Sequence, residues 1–413
     1  MAERPSHVIV GASLAGAKAA ETLREEGFDG RVVLIGAEPE RPYERPPLSK
    51  DYLRGESDRS KVFVHEESFY AEHDIELRTQ TRVARLDVGG RAVELEGGER
   101  IGFDALLLAT GAEPRRLAVP GAQLDGVLEL RTLADADRLR ERFARAGRLA
   151  VIGAGWIGSE AAASARQLGL EVTLIEQASV PLERVLGPEV GRIYAEIHAD
   201  HGVDLRLGVG VERLEGSAAV EGVRLTDGAV VDCDLVLVGI GVVPRTGLAE
   251  AAGLEVDNGV LVSEHLEASA AGIFAAGDVA NAWHPFYGRR VRVEHWANAL
   301  NQGPAAARGM LGRPSPYERL PYFFSDQYEV GMEYSGLASG DDRLVLRGDP
   351  ATREFIAFWL DGGRVVAGMN VNVWDVAQAI QALIRSRAEV DERRLADPSV
   401  PLEELTPAVS GGA

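Results

Sequence analysis

The sequence predicts an α/β fold in three parts: two domains built on parallel sheets and a C-terminal α+β domain. Three observations predict it. A strand, a Gly-rich turn and an Ala-rich helix occur in succession twice, as V-I-V-G-A-S-L-A-G from Val8 to Gly16 and as A-V-I-G-A-G-W-I-G-S-E from Ala150 to Glu160. Each copy is followed at a distance by a short apolar run and a Gly turn, Ala105–Leu108 with Ala109-Thr110-Gly111 and Leu235–Val238 with Gly239-Ile240-Gly241. From Pro321 onward aromatic residues gather and apolar residues alternate with polar ones.

Taken in order, the first unit reads as strand Val8–Val10, helix Leu14–Glu25 and strand Val32–Ile35. The second reads as strand Ala150–Ile152, helix Ile157–Leu168 and strand Val172–Ile175. Continuous apolar runs suit parallel strands covered on both faces, and the size and order match a β-α-β unit. Pro114, Pro120 and Gly121 punctuate the passage between the halves. A further strand pattern ends at Ile273–Ala280, and Ala297–Met310 reads as a helix. Alternation at Glu354–Leu360 and Val365–Asn370 predicts an antiparallel sheet, and Val373–Ser386 a helix. Two of Tyr322, Phe323 and Phe324 are expected in the core. The tail after Thr406 is small and polar, and a mobile segment 406–413 is expected.

Composition narrows the function. The 413 residues carry 44 basic and 64 acidic side chains, a net charge of −20. Nucleic-acid binding draws on phosphate neutralisation and is not expected of so acidic a chain. No apolar run approaches the ~20 residues of a membrane span, and Met1–His7 lacks the layout of a signal peptide. A cytoplasmic location is therefore expected, with no membrane partner. Cys233 is the only cysteine, so electrons cannot be relayed through a cysteine pair within the chain. Flanked by Asp232 and Asp234, it reads as a small packing residue rather than a reactive thiol.

The Gly-rich turns carry the chemistry. Such a turn aims backbone N–H groups and a helix N-terminus at a pyrophosphate, so two turns suggest two dinucleotides and Rossmann-like domains. Gly153-Ala154-Gly155-Trp156-Ile157-Gly158 has all three glycines of the fingerprint. The following strand ends at Glu176, whose carboxylate can accept hydrogen bonds from a ribose diol. It would repel a 2′-phosphate at ~4 Å by about 4 kcal/mol per pair of unit charges. NADH over NADPH is the expectation, with Arg184 nearby as the opposing charge. The first turn, Gly11-Ala12-Ser13-Leu14-Ala15-Gly16, has Ser where the middle glycine belongs, and Glu38 closes its next strand.

With Ile273-Phe274-Ala275-Ala276-Gly277-Asp278 added, the chain resembles the two-dinucleotide-binding flavoprotein reductases. In that family the Ala-Thr-Gly and Gly-Asp segments both belong to an FAD domain interrupted by the NAD domain. The resemblance sharpens at Pro42-Tyr43-Glu44-Arg45-Pro46-Pro47-Leu48-Ser49-Lys50. It continues at Leu130-Arg131-Thr132-Leu133, at Arg292-Val293-Glu294-His295-Trp296-Ala297-Asn298-Ala299 and at Phe324-Ser325-Asp326-Gln327-Tyr328. These segments are similar to those of NADH-dependent ferredoxin reductases that serve oxygenases and cytochromes P450. The resemblance covers the chain to about Leu405.

The resemblance implies an FAD-binding domain at 1–112 and 245–320, an NAD-binding domain at 113–244 and a C-terminal α+β interface domain at 321–405. It implies FAD or flavin-edge contacts from Gly11, Ser13, Leu14, Ala15, Gly16, Glu38, Arg45, Lys50, Val83, Ala109, Thr110, Gly111, Arg131, Gly277, Asp278, Glu294, His295 and Trp296, with Asp278 on the ribityl chain. NAD would be held by Gly153, Gly155, Trp156, Ile157, Gly158, Glu160, Glu176, Arg184, Gly239, Ile240 and Gly241. Lys50 is one of three lysines beside 41 arginines. The resemblance places it at the flavin N5 edge, paired with Glu160, and places Trp156 where relatives carry an aromatic next to the nicotinamide; a gate over the flavin face is expected of it.

The implied reaction is hydride transfer from NADH to FAD, then single electrons to a ferredoxin that feeds a P450 or dioxygenase. Ferredoxins are acidic, and residues 281–320 hold six arginines against Glu294 and Glu318. Docking is expected near Arg289, Arg290, Arg292 and Arg313. Rubredoxin reductase and an apoptosis-inducing-factor-like NADH sensor are the alternatives, the second acting by partner binding.

Overall fold

The structure is a computed structural model that describes residues 4–405; the tail expected at 406–413 lies outside the described residues. The chain forms two compact units. Among the described residues the first collects those up to Pro46, Asp58–Glu113 and Val242–Arg319, and the second Pro47–Ser57, Pro114–Gly241 and those from Leu320 onward.

The first unit is built on a five-stranded parallel sheet in the order Ile273–Ala275, Ala105–Leu108, Ser6–Val10, Arg31–Ile35, Ile75–Arg78. Val8 stands opposite Val33 on one side and Leu106 on the other. Every residue of Ala105–Leu108 is buried, as a strand covered on both faces requires. The helix Leu14–Glu25 buries Ala17, Ala19 and Ala20. A second helix, Trp296–Met310, lies against it. Their backbones approach so closely that a Cβ on Gly303 would come within 2.3 Å of the Ala15 carbonyl oxygen. A small antiparallel sheet, Val83–Asp87, Ala92–Leu95 and Arg100–Gly102, completes the unit.

The second unit repeats the plan. Its parallel sheet runs Asp204–Leu207, Glu171–Glu176, Arg148–Ile152, Leu235–Val238, Val127–Glu129. A three-stranded antiparallel sheet, Val211–Glu215, Gly222–Leu225 and Val230–Asp232, follows. The C-terminal part adds a five-stranded antiparallel sheet in the order Tyr322–Gln327, Val330–Gly336, Arg364–Val371, Glu354–Asp361, Arg343–Asp349. One core joins this sheet to the helix Glu183–Asp200, through Leu186, Val190, Tyr194, Phe323, Met332 and Trp359 among others. The fold is thus α/β with parallel dinucleotide-type sheets and a C-terminal antiparallel domain.

Two local expectations need correction. The helix expected at Val373–Ser386 begins at Ala377, because Asn372 and Asp375 take left-handed backbone (φ +50° and +64°) and turn the chain first. Asn and Asp tolerate that region better than most residues. Of Tyr322, Phe323 and Phe324 only Phe323 is buried, since strand alternation sends its neighbours to the other face. Cys233 is buried, and burial with Asp234 beside it pushes the thiol up to about 12.

Candidate functional site

The first unit presents a helix N-terminus at the C-terminal edge of its sheet. Gly11 has φ +120°, and a Cβ there would fall 2.0 Å from the Ala109 carbonyl oxygen. A Cβ on Gly16 would fall 2.0 Å from the Gly11 carbonyl oxygen. Neither position admits a side chain. Ser13 caps the helix Leu14–Glu25 with extended backbone (φ −120°, ψ −162°) and makes no side-chain cap bond; no acid stands in the first turn. The first N–H groups are thereby left to an external acceptor, which suits a pyrophosphate.

The second unit builds the same device. Gly153 has φ +99°, and a Cβ there would meet the Gly239 carbonyl oxygen at 2.5 Å; on Gly158 it would meet the Gly153 carbonyl oxygen at 2.0 Å. Gly155 caps the helix Trp156–Gln167 without a side-chain bond, again with no acid in the first turn. Its φ of −74° is ordinary, and a Cβ there would touch nothing within 4 Å. The middle glycine of the fingerprint is therefore not required by the backbone in either copy, which accounts for Ser13.

Glu176 accepts from the N–H groups of Ala154 (2.7 Å) and Ala178 (2.9 Å). A carboxylate has about four acceptor sites, so two remain for a ribose diol. Arg184 is exposed, and Ile240 and Gly239 line the turn after Leu235–Val238 at intermediate exposure. Gly241 has φ +97°. Trp156 meets Phe323 edge-on at 4.9 Å and Tyr194 at 6.1 Å between ring centroids, on the rim of the core under the C-terminal sheet. Ile157 is exposed.

Lys50 and Glu160 are brought together within the second unit. Lys50 Nζ lies 2.8 Å from Glu160 Oε2, and both side chains are at most a tenth exposed. Ser49 Oγ donates to the same oxygen, and Ser325 Oγ donates to Oε1 at 2.7 Å. The Lys50 ammonium also stands 5.5 Å from the Phe324 ring centroid. Burial raises the Asp326 carboxyl above the usual carboxylate range; Lys50 opposes the rise and Glu160 adds to it. Sequence reasoning missed Ser49 and Ser325. Both stand in quoted segments, but neither contact leaves a periodicity to read.

In the first unit Glu38 is bonded to the Tyr43 hydroxyl and, at 3.1 Å, to the Arg45 guanidinium. Burial opposes the Arg45 charge, but Tyr43, Glu38 and Asp278 outweigh it and raise its pKa. Asp278 lies in a short 3-10 turn, Gly277–Val279, where the Gly277 N–H donates to Gln302 Oε1 at 2.9 Å. Burial lowers the His295 imidazole to about 4, against the pull of Asp278. Burial raises the Glu44 carboxyl above the usual carboxylate range, with Trp296 and Lys18 opposing the rise. Thr110 Oγ1 donates to the Arg245 carbonyl at 2.9 Å, and Gly111 has φ +68°. Leu14, Ala15 and Ala109 are buried, and Val83 is half-buried in its antiparallel strand. Arg131 belongs to the second unit, where its N–H donates to Asp135 beside the Thr132 helix cap.

The arginines of 281–320 are less free than their count suggests. Arg308 and Arg313 pair with Glu26 at 3.0 and 3.2 Å, and Arg292 pairs with Glu294 at 2.7 Å. Arg290 donates to the carbonyls of Val262 and Asn281. Arg289 is exposed on the hairpin that carries the exposed Trp283.

Residues 5–303 match the pyridine nucleotide-disulphide oxidoreductase family, and residues 322–406 match the reductase C-terminal family. The chain is 43% identical to the ferredoxin reductase subunit of 5,5'-dehydrodivanillate O-demethylase from a Sphingobium species, over 97% of this chain and 98% of that protein. It is 39% identical to putidaredoxin reductase of Pseudomonas putida, over 97% and 96% of the two chains. In structure it resembles the reductase in the covalent putidaredoxin reductase–putidaredoxin complex, with a TM-score of 0.95 at 38% identity, covering 99% of this chain and 100% of that one.

Proposed function

The chain belongs to the pyridine nucleotide-disulphide oxidoreductase family, and on that footing we propose that it is an FAD-dependent NADH:ferredoxin reductase of a P450 or dioxygenase system. With Cys233 as its only cysteine, it lacks the cysteine pair that the family's name refers to. The observation that carries the reading is the pair of matched cradles, one in each unit, whose glycines exclude a Cβ and whose helices begin with no side-chain cap bond and no acid in the first turn. We assign FAD to the domain at 1–112 and 245–320, NADH to 113–244 and the partner-facing role to 321–405.

Bound FAD supplies a hydride acceptor that releases its electrons singly. The protein supplies distance, orientation and charge. Gly11, Gly16 and the first turn of Leu14–Glu25 hold the FAD pyrophosphate; Asp278 takes the ribityl hydroxyls. Gly153, Gly158 and the first turn of Trp156–Gln167 hold the NADH pyrophosphate, and Glu176 takes the adenosine ribose. Lys50 donates toward the flavin N5 edge and Glu160 fixes the lysine's direction. Trp156 covers the nicotinamide position until NADH arrives. Arg289 and Trp283 offer an acidic ferredoxin a cation and an aromatic anchor side by side.

The test is anaerobic turnover. Purified protein reduced with NADH is mixed with ferredoxins and, separately, rubredoxin. Rapid reoxidation by ferredoxin supports the assignment; reoxidation by rubredoxin alone replaces it with the rubredoxin reductase reading.

A further inference from the structure

Glu160 holds more than Lys50. Its Oε1 accepts from Ser325 Oγ at 2.7 Å, and Ser325 is 2% exposed on the first strand of the antiparallel sheet. A carboxylate only accepts, and a serine hydroxyl has one hydrogen. That hydrogen is therefore committed to Glu160, and Ser325 Oγ can only accept from its other neighbour. This neighbour is Gln327 Nε2, at 3.3 Å. The amide nitrogen faces Ser325, so Gln327 Oε1 points the other way.

Gln327 is 1% exposed, and among the described residues its Oε1 has no hydrogen-bond partner. One carboxylate thus orients a serine hydroxyl and, through it, a buried amide.

We propose that Ser325 and Gln327 are positioning residues for the Glu160–Lys50 pair, forming a file of hydrogen-bond donors that runs from the Gln327 amide through the Ser325 hydroxyl to Glu160. Ser325 and Gln327 alternate inward on the strand. The file orients and does not conduct, because the Gln327 amide would have to tautomerise to pass a proton. Aligned donors polarise one another and strengthen the last bond, the one to Glu160. The catalytic consequence rests on the proposed function; the geometry does not.

The test uses the holoenzyme labelled with 15N-lysine. The chain has three lysines, so Lys50 is read against Lys18 and Lys61 as internal references. Ser325→Ala should shift and broaden the Lys50 ammonium signal alone. It should slow reduction of the flavin by NADH about tenfold, as misalignment of a reacting edge does, and leave NADH affinity unchanged. Ser325→Thr, which returns a hydroxyl, should restore both. If Ser325→Ala does not fold, Gln327→Met is read the same way. A Lys50 signal and a reduction rate that both stay at wild-type values overturn the proposal. A wild-type protein that NADH cannot reduce would instead overturn the proposed function, while the Lys50 signal still decides the file.

Discussion

Glu176 holds the fold and, in the proposed function, a ligand. Two of its acceptor sites hold the turn through Ala154 and Ala178; the rest face outward as a negative charge. Replacing it with serine should lower the NADH-to-NADPH ratio of kcat/KM at least about tenfold, since removing one like-charge pair is worth on the order of a few kcal/mol at short range. Steady-state kinetics with both dinucleotides measures this. Trp156 is held on two sides by Phe323 and Tyr194. Trp156→Ala should cost about 2 kcal/mol of stability through lost packing and alter the flavin–NADH charge-transfer band. Urea unfolding reads the first effect and anaerobic absorption spectra the second. An unchanged band with lowered stability would leave Trp156 a packing residue and remove the gate.

At the scale of elements, the Gly turns make opposite predictions at neighbouring positions. Gly11→Ala drives a methyl into the Ala109 carbonyl from a left-handed backbone; it should abolish FAD retention, measured as flavin content after purification. Ser13→Gly places glycine where the backbone is already extended, and should change FAD affinity less than about threefold. The parallel strands and the two Gly-turn helices were legible in the sequence because apolar runs and glycines record them locally. Glu38 was legible as a strand-end acid, but not as the partner of Tyr43 and Arg45, because side-chain bonds carry no periodicity. Ser325 was opaque for the same reason: a small polar residue among aromatics gains meaning only when Glu160 is set beside it. The helix after Val371 was misplaced because its apolar spacing continues back through Val373, while Asn372 and Asp375 turn the chain. Arg347 is a further long-range device. Buried, it donates to the carbonyls of Leu395, Asp397, Pro398 and Val400 and pins the last described segment to the sheet.

On the scale of the whole molecule, charge and burial set the response to conditions. Burial lowers the imidazoles of His7, His198 and His295 to about 4 from 6.5. Below pH 6.5 the unfolded chain binds protons that the folded chain refuses, so stability present above 6.5 is lost as pH falls toward 4. The loss is on the order of 3 kcal/mol for a fully buried imidazole such as His198. Urea midpoints measured from pH 7 down to 4.5 should fall steadily; a flat profile would contradict the buried neutral histidines. The net charge of −20 repels an acidic partner at long range, so the proposed docking calls for a local cation. Arg289→Ala should weaken ferredoxin reduction and flatten its ionic-strength dependence, read by varying salt at fixed ferredoxin.

Anaerobic titration of the purified protein with NADH tests the whole account most directly. One equivalent should bleach the bound flavin's visible absorbance, and added ferredoxin should restore it. Colourless protein that takes up no FAD, or yellow protein that NADH leaves oxidised, would contradict it.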